Sequence, residues 1–280
     1  MKHKNWSPLR YPGGKACLSR YIKDLLEKNK LVGGAYAEPF AGGAGLALNL
    51  LFSGYVSQIH INDLDRSIYA FWHTVLHKPQ QLIEKINLCN ITVEEHHKQS
   101  AIQFNKNKAS LFDLGFSTLF LNRTNVSGVI KGGIIGGKKQ IGKYKIDARF
   151  NKTALTDKIT QIATLKPWIH LSNEEASVFL LRMENELPNK SLIFLDPPYY
   201  IKGSSLYYNY FVHNDHANLA NQVKLYPKNW IVSYDNVKEV RQLYTPCRFK
   251  TYNLNYSVKN HYKGSEIMFF SENLIKIPGF

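Results

Sequence analysis

The chain alternates short runs centred on β-branched, aromatic and other apolar residues with longer stretches in which apolar residues return every three or four positions. The short runs are Ala35-Tyr36-Ala37-Glu38-Pro39-Phe40, Gln58-Ile59-His60-Ile61-Asn62, Trp168-Ile169-His170-Leu171, Ser191-Leu192-Ile193-Phe194-Leu195 and Trp230-Ile231-Val232-Ser233-Tyr234. Their length and their β-branched and aromatic content predict buried strands. Helical spacing is seen in Leu18, Tyr21, Ile22, Leu25 and Leu26, where Gly33-Gly34 supplies a stop, and in the apolar stretch from Leu46 to Leu51. It returns from Leu155 to Leu165, Ala176 to Leu181, His216 to about Leu225 and Val237 to Leu243. Strands parted by helices predict a parallel sheet. The last two runs, Phe249–Val258 and Glu266–Phe270, follow each other without a helix, which predicts an antiparallel pair at the sheet edge.

This rhythm breaks once. From Ile68 to about Phe120 the pattern is helical only, with Tyr69, Phe71, Trp72, Val75, Leu76, Leu82, Ile83 and Ile86 on apolar faces. Asp65 is placed to cap the first of these helices. Thr92-Val93-Glu94-Glu95 reads as another helix start. His96 and His97 are neighbours, so on a helix they diverge by about 100° and make a poor metal pair; both are expected at the surface. Asn122-Arg123-Thr124-Asn125 then opens a polar segment rich in glycine and lysine, whose glycine pairs predict a hairpin or an extended loop. Residues 67–153 are thus expected to be an insertion in an α/β domain formed by residues 1–66 and 154–280.

Charge changes this picture. The 280 residues carry 36 Lys and Arg against 21 Asp and Glu, a formal net charge of +15. Such an excess concentrates polyanions, of which nucleic acid is the usual one. The insertion carries much of it: Arg123, Lys131, Lys138, Lys139, Lys143, Lys145 and Arg149 face the single acid Asp147. Cations among amides and small residues suit phosphate contacts with base-edge readout. The three cysteines, Cys17, Cys89 and Cys247, show neither metal spacing nor a disulfide framework, so no metal is expected and a reducing cytoplasm fits. No apolar run is long enough to span a bilayer, and the first residues lead into no apolar signal core.

Two stretches carry candidate chemistry. Ser191–Leu195 is ended at once by Asp196-Pro197-Pro198-Tyr199, because proline cannot donate to a ladder. That holds Asp196 and Tyr199 at the carboxyl end of a central strand, where open α/β sheets bind ligands. A carboxylate, a rigid turn and an aromatic face suit a flat ring bearing an amino group. The other stretch is strand, glycine loop, helix: Glu38-Pro39-Phe40-Ala41-Gly42-Gly43-Ala44-Gly45, then Leu46 onward, an arrangement suited to a nucleotide cofactor. Asp63, at the tip of the second strand about 20 residues further on, is placed for ribose hydroxyls. Position 48 is Leu48 where the dinucleotide loop has glycine, which counts against a nicotinamide dehydrogenase.

Arg10-Tyr11-Pro12-Gly13-Gly14-Lys15, Glu38–Gly45, Asn62-Asp63, the basic insertion with Asn122-Arg123, Asp196-Pro197-Pro198-Tyr199 and Trp230–Asp235 stand in this order along nearly the whole chain. The ordered set resembles the Dam-like (D12) class of adenine-N6 DNA methyltransferases. The resemblance implies an α/β fold of the S-adenosylmethionine (SAM)-dependent, Rossmann-like kind. The sheet would be mostly parallel with a reversed last strand, and the insertion would recognise the target. SAM would be held by Tyr11, Lys15, Glu38, Phe40, Gly42, Gly43, Gly45, Asp63 and Asp196, and by Glu175 where the class usually has aspartate. Asp196, with the Pro197 carbonyl and Pro198, would receive the adenine amino group, and Tyr199 would stack on the extruded base. Arg10, Asn122, Arg123 and Asn125 would read duplex DNA, with Lys138, Lys139 and Lys143 on phosphates. A monomer is expected, with a cognate restriction endonuclease as an optional partner. The readings left open are another methyl acceptor (RNA adenine, cytosine N4 or a glutamine side chain) and a silent DNA-binding module.

Overall fold

The structure is a computed structural model that describes residues 5–10, 14–201, 211–256 and 262–279. Their contacts divide the chain into two compact units, Met1–Gly14 with Asp65–Asn173, and Lys15–Leu64 with Glu174–Phe280.

The first unit holds helices α3 (Arg66–His77), α4 (Pro79–Leu88), α5 (Val93–Phe104), α6 (Leu111–Thr124) and α7 (Lys152–Thr164), with strand β3 (Ile169–Ser172). It therefore takes in more than the 67–153 insertion. Helix α7 accounts for part of this: it packs on α3 and α4 through a face on which Leu155, Ile159 and Ile162 are buried. Asp65 caps α3 by accepting from the Ser67 N–H at 3.0 Å, and Thr92 caps α5 by accepting from the Glu95 N–H. Helix α6 is buried almost all round and lies against α3. Gly115 makes that approach possible, since a Cβ there would sit 2.6 Å from the Ala70 carbonyl oxygen.

Of the two forms expected for the polar segment, hairpin or extended loop, the described residues take the loop. It runs through turns and bends with one isolated bridge, Asn125 to Ile134. The reason is local: Ser127, Gly128, Gly136, Gly137 and Gln140 all have positive φ, which interrupts a regular ladder. Gln140 ties the turns together instead. Its Nε2 donates to the Ile135 and Gly137 carbonyls, and its Oε1 accepts from the Ile146 N–H.

The second unit is an α/β layer structure with strands β1 (Gly34–Glu38), β2 (Val56–Asn62), β4 (Ser191–Leu195), β5 (Trp230–Asp235), β6 (Arg248–Tyr256) and β7 (Tyr262–Phe270). They run in the order β2-β1-β4-β5-β7-β6. The β1–β2, β1–β4 and β4–β5 pairs are parallel, and β7 is antiparallel to both β5 and β6. The sheet is thus mostly parallel with a reversed end. Every residue of β1 and β4 is buried, as strands covered on both faces must be. Helices α8 (Ala176–Glu186), α9 (His213–Lys224) and α10 (Lys238–Leu243) contribute Phe179, Leu180, Met183, Leu219, Val223 and Val240 to a core with Ile193, Leu195, Val232 and Phe269. Each such side chain adds about 1.5–3 kcal/mol by leaving water, so the ends of the central strands are fixed points. Helices α1 (Ser19–Lys28) and α2 (Gly45–Phe52) complete the unit. Among the described residues no helix is long and apolar enough to cross a membrane.

Candidate active site

Strand β4 ends at Leu195, and Pro197 and Pro198 are buried directly beyond it. Asp196 is held at that end with its side chain 24% exposed. Its partner is Lys15, from the 3-10 turn Lys15–Leu18, whose side chain is only 3% exposed. The Lys15 Nζ lies 2.8 Å from Asp196 Oδ1 and donates to Oδ2 at 3.0 Å. It also donates to the Tyr199 hydroxyl at 3.3 Å and lies 3.6 Å from Glu266 Oε2. Tyr199 in turn donates to Glu266 Oε1 at 2.7 Å, while the Tyr252 and Ser233 hydroxyls donate to Oε2. Burial pushes the Asp196 carboxyl up, Lys15 pulls it back and Glu266 pushes it up again, leaving it at about 6. Burial pulls the Lys15 ammonium down, but Asp196 and Glu266 outweigh it and hold the group above its ordinary range.

Asp196, Lys15 and Tyr199 are therefore brought together. Glu266 and Tyr252 are additions that sequence reasoning missed, and Ser233 stood in the Trp230–Asp235 motif without a role. The one signal for Glu266 was an acid opening the otherwise apolar Ile267–Phe270 run. Asp235 closed the Trp230–Asp235 motif but had no role assigned to it. Its Oδ1 accepts from the Tyr200 N–H at 2.8 Å and its Oδ2 from the Ile201 N–H at 3.0 Å, which fixes the turn beyond Tyr199.

The glycine loop follows β1. Glu38 is buried, and its Oε1 accepts from the Tyr36 hydroxyl at 2.9 Å and the Ala47 N–H at 3.2 Å. Burial pushes its carboxyl up to about 8, against the opposing pull of the Tyr36 hydrogen bond. Gly42 and Ala44 both turn through positive φ, and the Gly42 N–H donates to Asp63 Oδ2 at 2.9 Å. Asp63 thus braces the loop. Asn62 clamps its base, donating to the Pro39 and Glu174 carbonyls and accepting from the Glu174 N–H. Glu175 is exposed at the start of α8 and makes no capping bond there. Phe40 meets Phe211 edge-on at 5.8 Å. Tyr11 and most of the aromatic stretch after Tyr199, from Lys202 to Tyr210, lie outside the described residues. The Asp63 and Asp196 carboxylates, with the buried Glu38 carboxyl beside the glycine turn, suit a ligand with positive charge and hydroxyl groups, and SAM has both.

In the first unit the polar segment is organised differently from expectation. Asn122 is 2% exposed, and both ends of its amide are used by backbone: Oδ1 accepts from the Arg10 N–H at 2.7 Å, and Nδ2 donates to the Arg10 and Gly128 carbonyls. Asn125 is also buried. Its Nδ2 donates to the Val129 and Ile130 carbonyls and its Oδ1 pairs with His96 Nε2 at 2.6 Å. Each amide, expected at a base edge, is here closing a backbone turn. His96 is buried by the same contact, not exposed, while His97 is exposed. Gly128, at φ +77°, lets Arg10 approach; a Cβ there would lie 2.3 Å from the Arg10 carbonyl oxygen.

Arg10, Lys143, Tyr144 and Arg149 line a cavity of about 310 Å³ together with Val126 and Ile135. Arg123 is half-buried, and its Nη1 donates to the Arg149 carbonyl at 3.5 Å. Burial, then Arg10, pulls its guanidinium down to about 10. Lys138, Lys139 and Lys143 are exposed. Among the described residues no group of three or more His, Cys, Asp or Glu could hold a metal ion.

A model of the D12 class N6 adenine-specific DNA methyltransferase family matches residues 11–260. No curated protein matches the chain by sequence. Among solved structures, the chain is similar to a provisionally described RNA methyltransferase from Pyrococcus horikoshii, at 10% identity and a TM-score of 0.45, covering 96% of this chain and 89% of that one. It is also similar to TrmN from Thermus thermophilus (10% identity, TM-score 0.41, 91% of this chain) and to a SAM-dependent methyltransferase from Agrobacterium tumefaciens (11%, 0.42, 92%). It spans 48% and 61% of those two chains.

Proposed function

The chain belongs to the D12 class N6 adenine-specific DNA methyltransferase family, and from that premise we propose that it transfers a methyl group from SAM to the N6 amino group of adenine in duplex DNA, with the base turned out of the stack. The observation that carries this reading is Asp196, held between Lys15 and a buried Pro-Pro turn at the end of a central strand.

The adenine amino nitrogen is a weak nucleophile because its lone pair is delocalised into the ring. Asp196 and the Pro197 carbonyl are the acceptors that draw the nitrogen towards tetrahedral geometry and free the lone pair; as the N–C bond forms and the methyl–sulfur bond breaks, the thioether leaves and one amino proton passes to Asp196 and on to solvent. This is positioning and electrostatics, with no covalent intermediate on the protein. SAM, the methyl donor, supplies an electrophilic methyl group when bound. Lys15 keeps Asp196 in place, Glu38, Asp63 and the Gly42–Gly45 loop hold the cofactor, and Tyr199 stacks on the base. The target atom is hidden in a duplex, so extrusion is required. Exposed Lys138, Lys139, Lys143 and Arg149 meet phosphates, and Arg10 and Arg123 are the groups left for base edges once Asn122 and Asn125 are committed to backbone.

The test is transfer of labelled methyl from SAM to duplex DNA, RNA and protein in parallel. Label in DNA recovered as N6-methyladenine is expected. Label confined to RNA, to cytosine or to glutamine would overturn the reading.

A further inference from the structure

Glu266 sits on β7, between β5 and β6, 1% exposed and followed by Ile267, Met268, Phe269 and Phe270. A carboxylate is a costly choice for such a place unless its oxygens are matched. Here they are matched, and the two oxygens have different partners. Oε1 accepts from the Tyr199 hydroxyl at 2.7 Å. Oε2 accepts from Tyr252 and Ser233 and faces Lys15 Nζ at 3.6 Å. Two carboxylates, Asp196 and Glu266, thus share one ammonium, and the aromatic ring beside the Pro-Pro turn is pinned through its hydroxyl.

We propose that Glu266 is a positioning residue for methyl transfer: it fixes the tilt of the Tyr199 ring and draws part of the Lys15 charge away from Asp196. Lys15 bound to Asp196 alone would compete with the substrate amino group for the same carboxylate. A second buried carboxylate on the far side of the ammonium limits that competition and leaves Asp196 a better acceptor. The pinned Tyr199 hydroxyl, held between Lys15 and Glu266, presents one ring orientation to a stacked base. The inference rests on the methyl-transfer reading above.

The experiment compares wild type, Glu266→Gln and Tyr199→Phe. Turnover is measured at saturating SAM and DNA, KM for SAM is measured separately, and extrusion is followed by 2-aminopurine fluorescence at the methylated position. Glu266→Gln should lose turnover by about 10- to 100-fold, the scale on which mispositioning acts, with KM for SAM nearly unchanged. Its 2-aminopurine signal should differ from wild type. Tyr199→Phe keeps the ring and removes the pin, so it should reproduce the altered signal. A Glu266→Gln protein with wild-type turnover, or one whose KM for SAM rises as much as turnover falls, would overturn the proposal. If Glu266→Gln does not fold, Tyr199→Phe decides: a folded variant with wild-type turnover and fluorescence would overturn it too. A wild type that methylates RNA in place of DNA would end the DNA reading, and Glu266 would then be judged by the same turnover ratio on that acceptor.

Discussion

Two polar clusters in this molecule are built by opposite rules. In the second unit, Lys15 is buried against Asp196 and Glu266, and every charge faces its opposite. In the first unit, Arg10, Arg123, Lys143 and Arg149 gather with no ion pair to them among the described residues, held by backbone contacts from Asn122, Asn125 and Gln140. Arg149 pushes the Arg10 guanidinium down after burial has done so, and Arg10 does the same to Arg123. A closed cluster is preorganised for one small acceptor geometry. An open cluster of like charges gains most from a polyanion that arrives from outside.

The comparison breaks first at Lys15. Lys15→Ala leaves Asp196 and Glu266 buried together without a cation, which should cost about 3–5 kcal/mol of stability, the scale for an orphaned buried charge. Urea unfolding checks this; an unchanged midpoint would show that the closed cluster does not depend on its cation.

Acid should silence the acceptor of the same cluster. Asp196 must be ionised to accept, and its carboxyl sits near 6. Turnover should therefore fall about tenfold per pH unit below that value. The folded form binds its proton more tightly than an unfolded carboxyl near 3.9, so this group's contribution to stability is lost as pH rises through about 6. A turnover profile flat down to pH 5 would remove Asp196 from the acceptor role.

The first unit should respond in stability and not in chemistry. Asn122→Ala strands the backbone of Arg10 and Gly128, at about 1–3 kcal/mol for unpaired buried groups. Thermal unfolding should register this while the methylated sequence stays the same; a relaxed target at unchanged stability would restore Asn122 as a reader. The smallest structural effect belongs to a Lys138/Lys139 double alanine variant. Its stability should change by no more than about 0.5 kcal/mol. Its salt slope of DNA binding should drop by about two units, for all sequences alike. An unchanged slope would show that these lysines meet no phosphate.

What was legible in the sequence follows from range. The seven strands, the caps at Asp65 and Thr92 and the Pro-Pro turn after β4 are set by neighbours a few residues away, and each was readable. The roles of Glu266, Asp235 and His96 depend on partners far along the chain, at Tyr199, Tyr200 and Asn125. The backbone bonds of the Asn122 and Asn125 amides were not legible either, since an amide that can grip a base edge can equally close a backbone turn. The glycine pairs left hairpin and loop both open because glycine serves the two alike, and the run of positive φ from Ser127 to Gln140 decides for the loop.

The central claim is that the Asp196 turn methylates the amino group of adenine in duplex DNA. Its most direct measurement is nucleoside analysis of duplex DNA treated with SAM and either the wild-type protein or Asp196→Ala, with folding of the variant checked by circular dichroism. The account predicts N6-methyladenine from wild type and at least ~10²-fold less from the folded variant, the scale for losing one preorganised polar partner. Comparable N6-methyladenine from a folded Asp196→Ala protein would contradict it.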